Sequence, residues 1–218
     1  FIIMNYSLDT TIINENSKNK NAIILCHGYG GDGKDISILA NYWKNFLKDT
    51  IFLCPNAPEI CKVNPNGFQW FDLMDQTSEQ ILSKSLIAES KLNNYIDDVI
   101  KNNKISIDQI ALVGFSQGSM ISLQTALKRK EKINCILSYS GKIINYEHLG
   151  KNIVSRPEIY LMHGDIDQVV PVDEFLASKE FFFNQKYKIS SKIFKNCEHR
   201  IPAEGISEGL EFLKKNFK

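Results

Sequence analysis

The sequence predicts an α/β fold, a mostly parallel central sheet with helices on both faces. Three observations predict it. Five short apolar runs are nearly continuous rather than alternating, the pattern of strands covered on both sides. Segments with a helical apolar period separate several of these runs. No internal repeat or low-complexity linker divides the 218 residues, so a single domain over 1–218 is expected.

The elements follow in chain order. SLDTTII (7–13) alternates and reads as an antiparallel edge strand. AIILC (22–26) is the first continuous run and leads into the glycine-rich CHGYGGDG (26–33). TIFLC (50–54) is the second. After it comes the longest irregular stretch, 55–78, which carries three prolines and ends in Phe68, Trp70, Phe71 and Met74. A long loop of this kind is often functional. Across 79–103, Leu82, Leu86, Leu92, Ile96 and Val99 keep close to a 3.6-residue period. IALVGF (110–115) reads as a strand that runs directly into a helical pattern over 117–130. CILSYS (135–140) and EIYLMH (158–163) complete the five, and SKIFKN (191–196) is a weaker sixth strand. Ile206, Leu210, Leu213 and Phe217 step by four, three and four, which gives a C-terminal helix one apolar face. Pro202 stands just before it, where proline is tolerated.

Composition narrows the function. Lys plus Arg is 26 and Asp plus Glu is 25, so the net charge of +1 offers no basic surplus for nucleic acid. The five cysteines form no C-x-x-C pair, and Cys26, Cys54 and Cys135 lie inside apolar runs. They read as buried reduced thiols rather than a disulfide framework. The first residues, FIIMNYSLDT, show no positive n-region, and no apolar stretch reaches the roughly 18 residues of a membrane span. A cytoplasmic protein without a signal peptide or transmembrane segment is expected. Met4 is a candidate start, which makes residues 1–3 a candidate extraneous addition. No H-E-x-x-H or paired-Cys set is present, and no metal or cofactor is expected.

The glycine-rich loop admits two readings. Gly28, Gly30 and Gly33 match the dinucleotide fingerprint G-x-G-x-x-G. The same loop also suits a backbone N–H aimed at a carbonyl oxygen. The fingerprint wants an acid at the end of the next strand. Asp49 has the distance but precedes that strand, whose end is CPN.

GFSQG (114–118) bears on that choice. It is G-x-S-x-G, placed between an apolar strand and a helical pattern, as a serine on a sharp strand-to-helix turn requires. A serine hydroxyl needs a base within hydrogen-bond reach, and the base needs an orienting acid. Downstream lie HGDIDQVVP (163–171) and CEHRIP (197–202), both in loops after strand candidates. Of four histidines, His27 belongs to the glycine loop and reads as structural. His148 lies in a polar connection and reads as solvated. His163 precedes the acid, the wrong order. His199 alone follows a suitable acid. The acid is Asp165 or Asp167. Asp165 closely follows Gly164 and suits tying its own turn together, whereas Asp167 stands further out, just before Val169 and Val170, and is preferred. The N–H after the serine is that of Gln117, and the HGYG loop supplies a second oxyanion donor.

At these residues the chain resembles the acyl-protein thioesterase and bacterial carboxylesterase/phospholipase family of α/β-hydrolases. The matching blocks are HGYGGDG (27–33), WFD (70–72), GFSQG (114–118), HGDIDQVVP (163–171) and EHRIPAEG (198–205), in family order. The resemblance implies an α/β-hydrolase fold, Ser116 as nucleophile, Asp167 as orienting acid, His199 as general base, and the Tyr29 and Gln117 amides as the oxyanion hole. It implies a small ester or thioester substrate, including a lipid or an acylated protein, and a monomer or homodimer. Trp70, Phe71, Met74 and Val170 are the candidate walls of the substrate site. Two departures stand out. Glu198 and Arg200 flank His199 where the family commonly has glycine, and Tyr29 takes a position where it often has leucine. Two rivals keep the same residues: a peptidase or amidase with this triad, and a non-catalytic small-molecule receptor.

Overall fold

The computed structural model describes residues 5–74 and 76–217. The expectation about residues 1–3 falls outside that range. A seven-stranded sheet forms the centre, in the order β1-β3-β2-β6-β7-β8-β9. These are β1 (Thr10–Ile13), β2 (Asn21–Cys26), β3 (Thr50–Pro55), β6 (Ile110–Phe115), β7 (Cys135–Tyr139), β8 (Glu158–Gly164) and β9 (Ser190–Phe194). β1 pairs antiparallel with β3 at one edge, and every other pairing is parallel. The fold is the expected mostly parallel α/β sheet.

The continuous apolar runs have a physical reason. Alternate residues of each strand point to opposite faces, and both faces are covered. Ile24, Cys26, Ile51 and Leu53 face one core with α2 (Ser78–Asn103), α3 (Gln117–Lys128), α4 (Tyr146–Asn152) and α5 (Val172–Asn184). Ile23, Leu25, Phe52 and Cys54 face a second core, closed by α1 (Gly33–Trp43) and α6 (Ala203–Asn216). Helix ends follow local chemistry. Thr77 and Gln80 form a reciprocal capping box at the start of α2, and Lys104 ends it in a left-handed conformation.

Three segments differ from the sequence reading. The stretch 55–78 is not wholly irregular, because β4 (Glu59–Cys61) and β5 (Asn64–Gln69) pair into a short antiparallel hairpin. β4 has only three residues and β5 holds Pro65, which weakens any strand signal. α1 was hidden behind the glycine loop, although Ile36, Leu39, Ala40 and Trp43 share its buried face and Asp32 caps it. His148 sits on α4, with its Nε2 3.2 Å from Lys128 Nζ, rather than in a solvated connection. All five cysteines are free and buried, and burial pushes the Cys26 thiol up to about 12. Among the described residues no helix is long and apolar enough to cross a membrane.

Candidate active site

The carboxyl ends of β2, β6 and β8, with the loop after β9, converge on Ser116. The chain turns there with φ 53° and ψ −118°, between the end of β6 and the first residue of α3. A side chain in that region costs about 1–3 kcal/mol, so surrounding structure must impose it. The Ser116 N–H donates to Tyr139 O of β7 at 2.9 Å. At Gly118 a Cβ would lie 2.0 Å from Cys26 O, so only glycine lets α3 start this close to β2. Crowding from both sides sets the turn.

Three side chains are hydrogen-bonded in series. The Ser116 Oγ–H donates to His199 Nε2 at 3.0 Å, and His199 Nδ1–H donates to Asp167 Oδ2 at 2.7 Å. The Asp167 side chain is fully buried. Its other oxygen accepts from the Val169 and Val170 amides, both at 2.9 Å. Those donors fix the carboxylate orientation, and it fixes the imidazole in turn. Asp165 does something else. Its Oδ1 accepts from Cys197 N–H at 3.2 Å, tying the β8 loop to the loop that carries His199 rather than to its own turn. Gly164 permits that approach, because a Cβ there would meet Cys197 O at 2.1 Å.

The remaining histidines near the site are buried. His27 Nδ1–H donates to Gly28 O at 2.7 Å while Nε2 accepts from Ala57 N–H at 2.9 Å. His163 Nε2–H donates to Val170 O at 2.8 Å and lies 3.5 Å from Asp167 Oδ2. Burial pushes both pKa values down and keeps these rings neutral. The nearness of His163 to Asp167 had no signal in chain order.

The loop between β2 and α1 lies against the serine. A Cβ on Gly28 would be 3.3 Å from Ser116 Cβ. The loop is held by β5, through Gly30 N–H to Phe68 O at 2.9 Å and Phe68 N–H to Gly31 O at 2.8 Å. Among the described residues neither the Tyr29 nor the Gln117 amide N–H has an intrachain acceptor. The Gln117 side chain is fully buried. Its Oε1 accepts from Trp70 N–H at 2.9 Å and its Nε2 donates to Phe71 O at 2.6 Å.

A cavity of about 360 Å³ opens at Ser116, lined by Tyr29, Phe71, Met120, Ile144 and Val170 among others. Of the four residues expected to wall the substrate site, Phe71 and Val170 line this cavity. Trp70 and Met74 do not. Trp70 is turned into the core by its Nε1–H bond to His27 O at 3.0 Å, and Met74 points to solvent. Met120 was missed, though it lies one helical turn after Ser116 and so on the same side of α3. Lys142 and Glu174, ion-paired at 2.7 Å, line the same cavity and carry no local signal, being far apart in sequence. Glu198 and Arg200 border different depressions on either side of His199.

This architecture is that of an ester-bond hydrolase, and comparison with known proteins agrees. A profile of the phospholipase/carboxylesterase family matches residues 8–217, and the chain belongs to that family of α/β-hydrolases, which cleave ester or thioester bonds. It is similar to acyl-protein thioesterase 1 of Saccharomyces cerevisiae, at 29% identity over 90% of this chain and 93% of the yeast one. Its fold superposes on the crystal structure of esterase PE8 with a TM-score of 0.91 and 32% identity, covering 96% of this chain and 99% of that one. The crystal structure of Zea mays acyl-protein thioesterase 2 shares the fold, with a TM-score of 0.72 at 20% identity over 96% and 99% of the two chains.

Proposed function

We propose that the chain, as one hydrolase domain over 1–218, cleaves carboxylic esters or thioesters through an acyl-enzyme on Ser116. The observation that carries this reading is the hydrogen-bonded series Asp167–His199–Ser116 beside two amides that lack an acceptor. His199 takes the Ser116 proton as Oγ attacks the carbonyl carbon. The Tyr29 and Gln117 amides hold the oxyanion, each worth about 3–4 kcal/mol of transition-state stabilisation. His199 then returns the proton to the departing alcohol or thiol. Water repeats the sequence on the acyl-enzyme and regenerates Ser116. Asp167 holds the imidazole tautomer and stabilises the imidazolium.

The acyl chain occupies the cavity walled by Phe71, Met120 and Val170. Trp70 acts from behind, by holding the 70–71 segment in place. The same features disfavour a dinucleotide, because the glycine loop is closed by β5 and turned toward the serine. The five free buried thiols support a cytoplasmic setting, where disulfides are rare.

The test is labelling by a fluorophosphonate probe, with p-nitrophenyl acetate and butyrate hydrolysis alongside, for wild type and Ser116→Ala. Wild type is expected to label and turn over, and the variant to lose roughly ten-thousand- to million-fold in kcat. A variant that still labels removes Ser116 from the chemistry. A wild type inert at several pH values means either that the triad is not assembled or that the protein is a receptor.

A further inference from the structure

An acyl carbon held at Ser116 carries two diverging substituents, and the cavity beside Met120 is assigned above to the acyl chain, which leaves the other substituent without a site. A second cavity, of about 440 Å³, lies on the other side of Tyr29. Its walls are Phe115 and His199, Ile38 and Leu39 of α1, Ile201 just before α6 and Ile206 in its first turn. The volume is within the range of small-ligand sites. Two exposed side chains of opposite charge, Asp35 and Arg200, also border it.

The two cavities divide the site chemically. Ser116 lines the first and not the second, whereas His199 lines the second and not the first. The departing atom must take its proton from His199, so the body attached to that atom passes on the His199 side. A third depression also touches His199, bounded by Ile166, Gln168, Val169 and Glu198. It lacks Gly28 and Tyr29, and so lies away from the loop that would hold the oxyanion.

We propose that the second cavity is the leaving-group site, and that it takes the apolar body of an aliphatic or aromatic alcohol or thiol. This rests on the reading of Ser116 and His199 given above. Ile38 provides the most direct evidence of an apolar occupant. It is 69% exposed, yet it lines this cavity rather than a packed core. A hydrophobic leaving group would remove that surface from water. Ile201, two residues after the base, extends the apolar wall from the other side.

The experiment fixes the acyl group and varies the alcohol. kcat/KM is measured for ethyl, butyl and hexyl butyrate, whose alcohols differ little in acidity, with wild type, Ile38→Ala and Ile38→Asp. For wild type kcat/KM is expected to rise by about fourfold per methylene until the cavity is filled. Ile38→Ala is expected to reduce that rise and Ile38→Asp to abolish it. The dependence on acyl-chain length, taken with one alcohol, keeps its slope in both variants, because Ile38 does not line the first cavity. A flat alcohol series in active wild type overturns the proposal, as does a series whose slope survives Ile38→Asp. Failure of the underlying reading looks different: Ser116→Ala would then hydrolyse all three esters as wild type does.

Discussion

Ser116 stands in a backbone conformation that serine rarely adopts, and its neighbours hold it there. Around it, residues of the same type are divided by environment. His199 is partly open and bonded to the serine, while His27 and His163 are enclosed and kept neutral by burial. That burial has a cost in acid. Below about pH 6.5 the unfolded chain binds protons on these two histidines that the folded chain refuses, so stability falls as pH falls through that window and is fully present above it. Each fully neutral histidine contributes a slope of about 1.4 kcal/mol per pH unit. Urea unfolding at pH 7.5 and at pH 5.5 measures it. Equal free energies at the two values would contradict the neutral assignment.

At the scale of elements, the site depends on segments that clamp one another. The β4–β5 hairpin covers the loop carrying Tyr29. Asp72, just beyond it, joins the hairpin to α2 through Lys62 at 2.6 Å and Lys84 at 3.2 Å. The Lys62 ammonium chiefly, with the Met74 amide, holds the Asp72 carboxyl down at about 2. Gln117 clamps the same segment from the α3 side. Gln117→Leu keeps the backbone amide but leaves Trp70 N–H and Phe71 C=O buried without partners, at about 1–3 kcal/mol for each. The expected result is a lower Tm together with a raised KM for long-acyl esters, because the Phe71 wall loosens. Thermal unfolding and an acyl-length series check this. A KM unchanged across that series would show that the clamp does not shape the cavity.

Across the whole molecule, two apolar layers press on one sheet, and the loops that carry Ser116, Asp167 and His199 all emerge at its carboxyl edge. The second layer matters for the position of His199, because α6 follows the His199 loop directly and is anchored by Leu210 and Leu213. Tyr139 O–H donates to Gly205 O at 2.8 Å and Trp43 Nε1–H to Ile206 O at 3.0 Å, so β7 and α1 both grip the start of that helix. Leu213→Ala, at a fully buried position, is expected to cost about 2–5 kcal/mol. For a chain of this size that lowers Tm by about 5–15 °C. A shift of less than a degree in calorimetry would mean that α6 is not part of the cooperative core.

Much of this was legible in the chain because the physics is local. Apolar runs covered on both faces, a helical period and a glycine-flanked serine between strand and helix are all set by neighbours within a dozen residues. The chain order of Ser116, Asp167 and His199, the three residues found hydrogen-bonded in series, also reads directly. The tertiary structure decided what depends on which loops meet. Asp167 rather than Asp165 lies against His199, since Asp165 is occupied by the Cys197 amide more than thirty residues away. Trp70 turns inward although its neighbours Phe71 and Met74 face a cavity and solvent, because a buried indole N–H must find an acceptor and His27 O is the one within reach. The division of the site into two cavities belongs to no segment. It arises where the β2 loop, α1 and the start of α6 pack around a single tyrosine and a single histidine, and pairings of that range leave no periodic trace in a sequence.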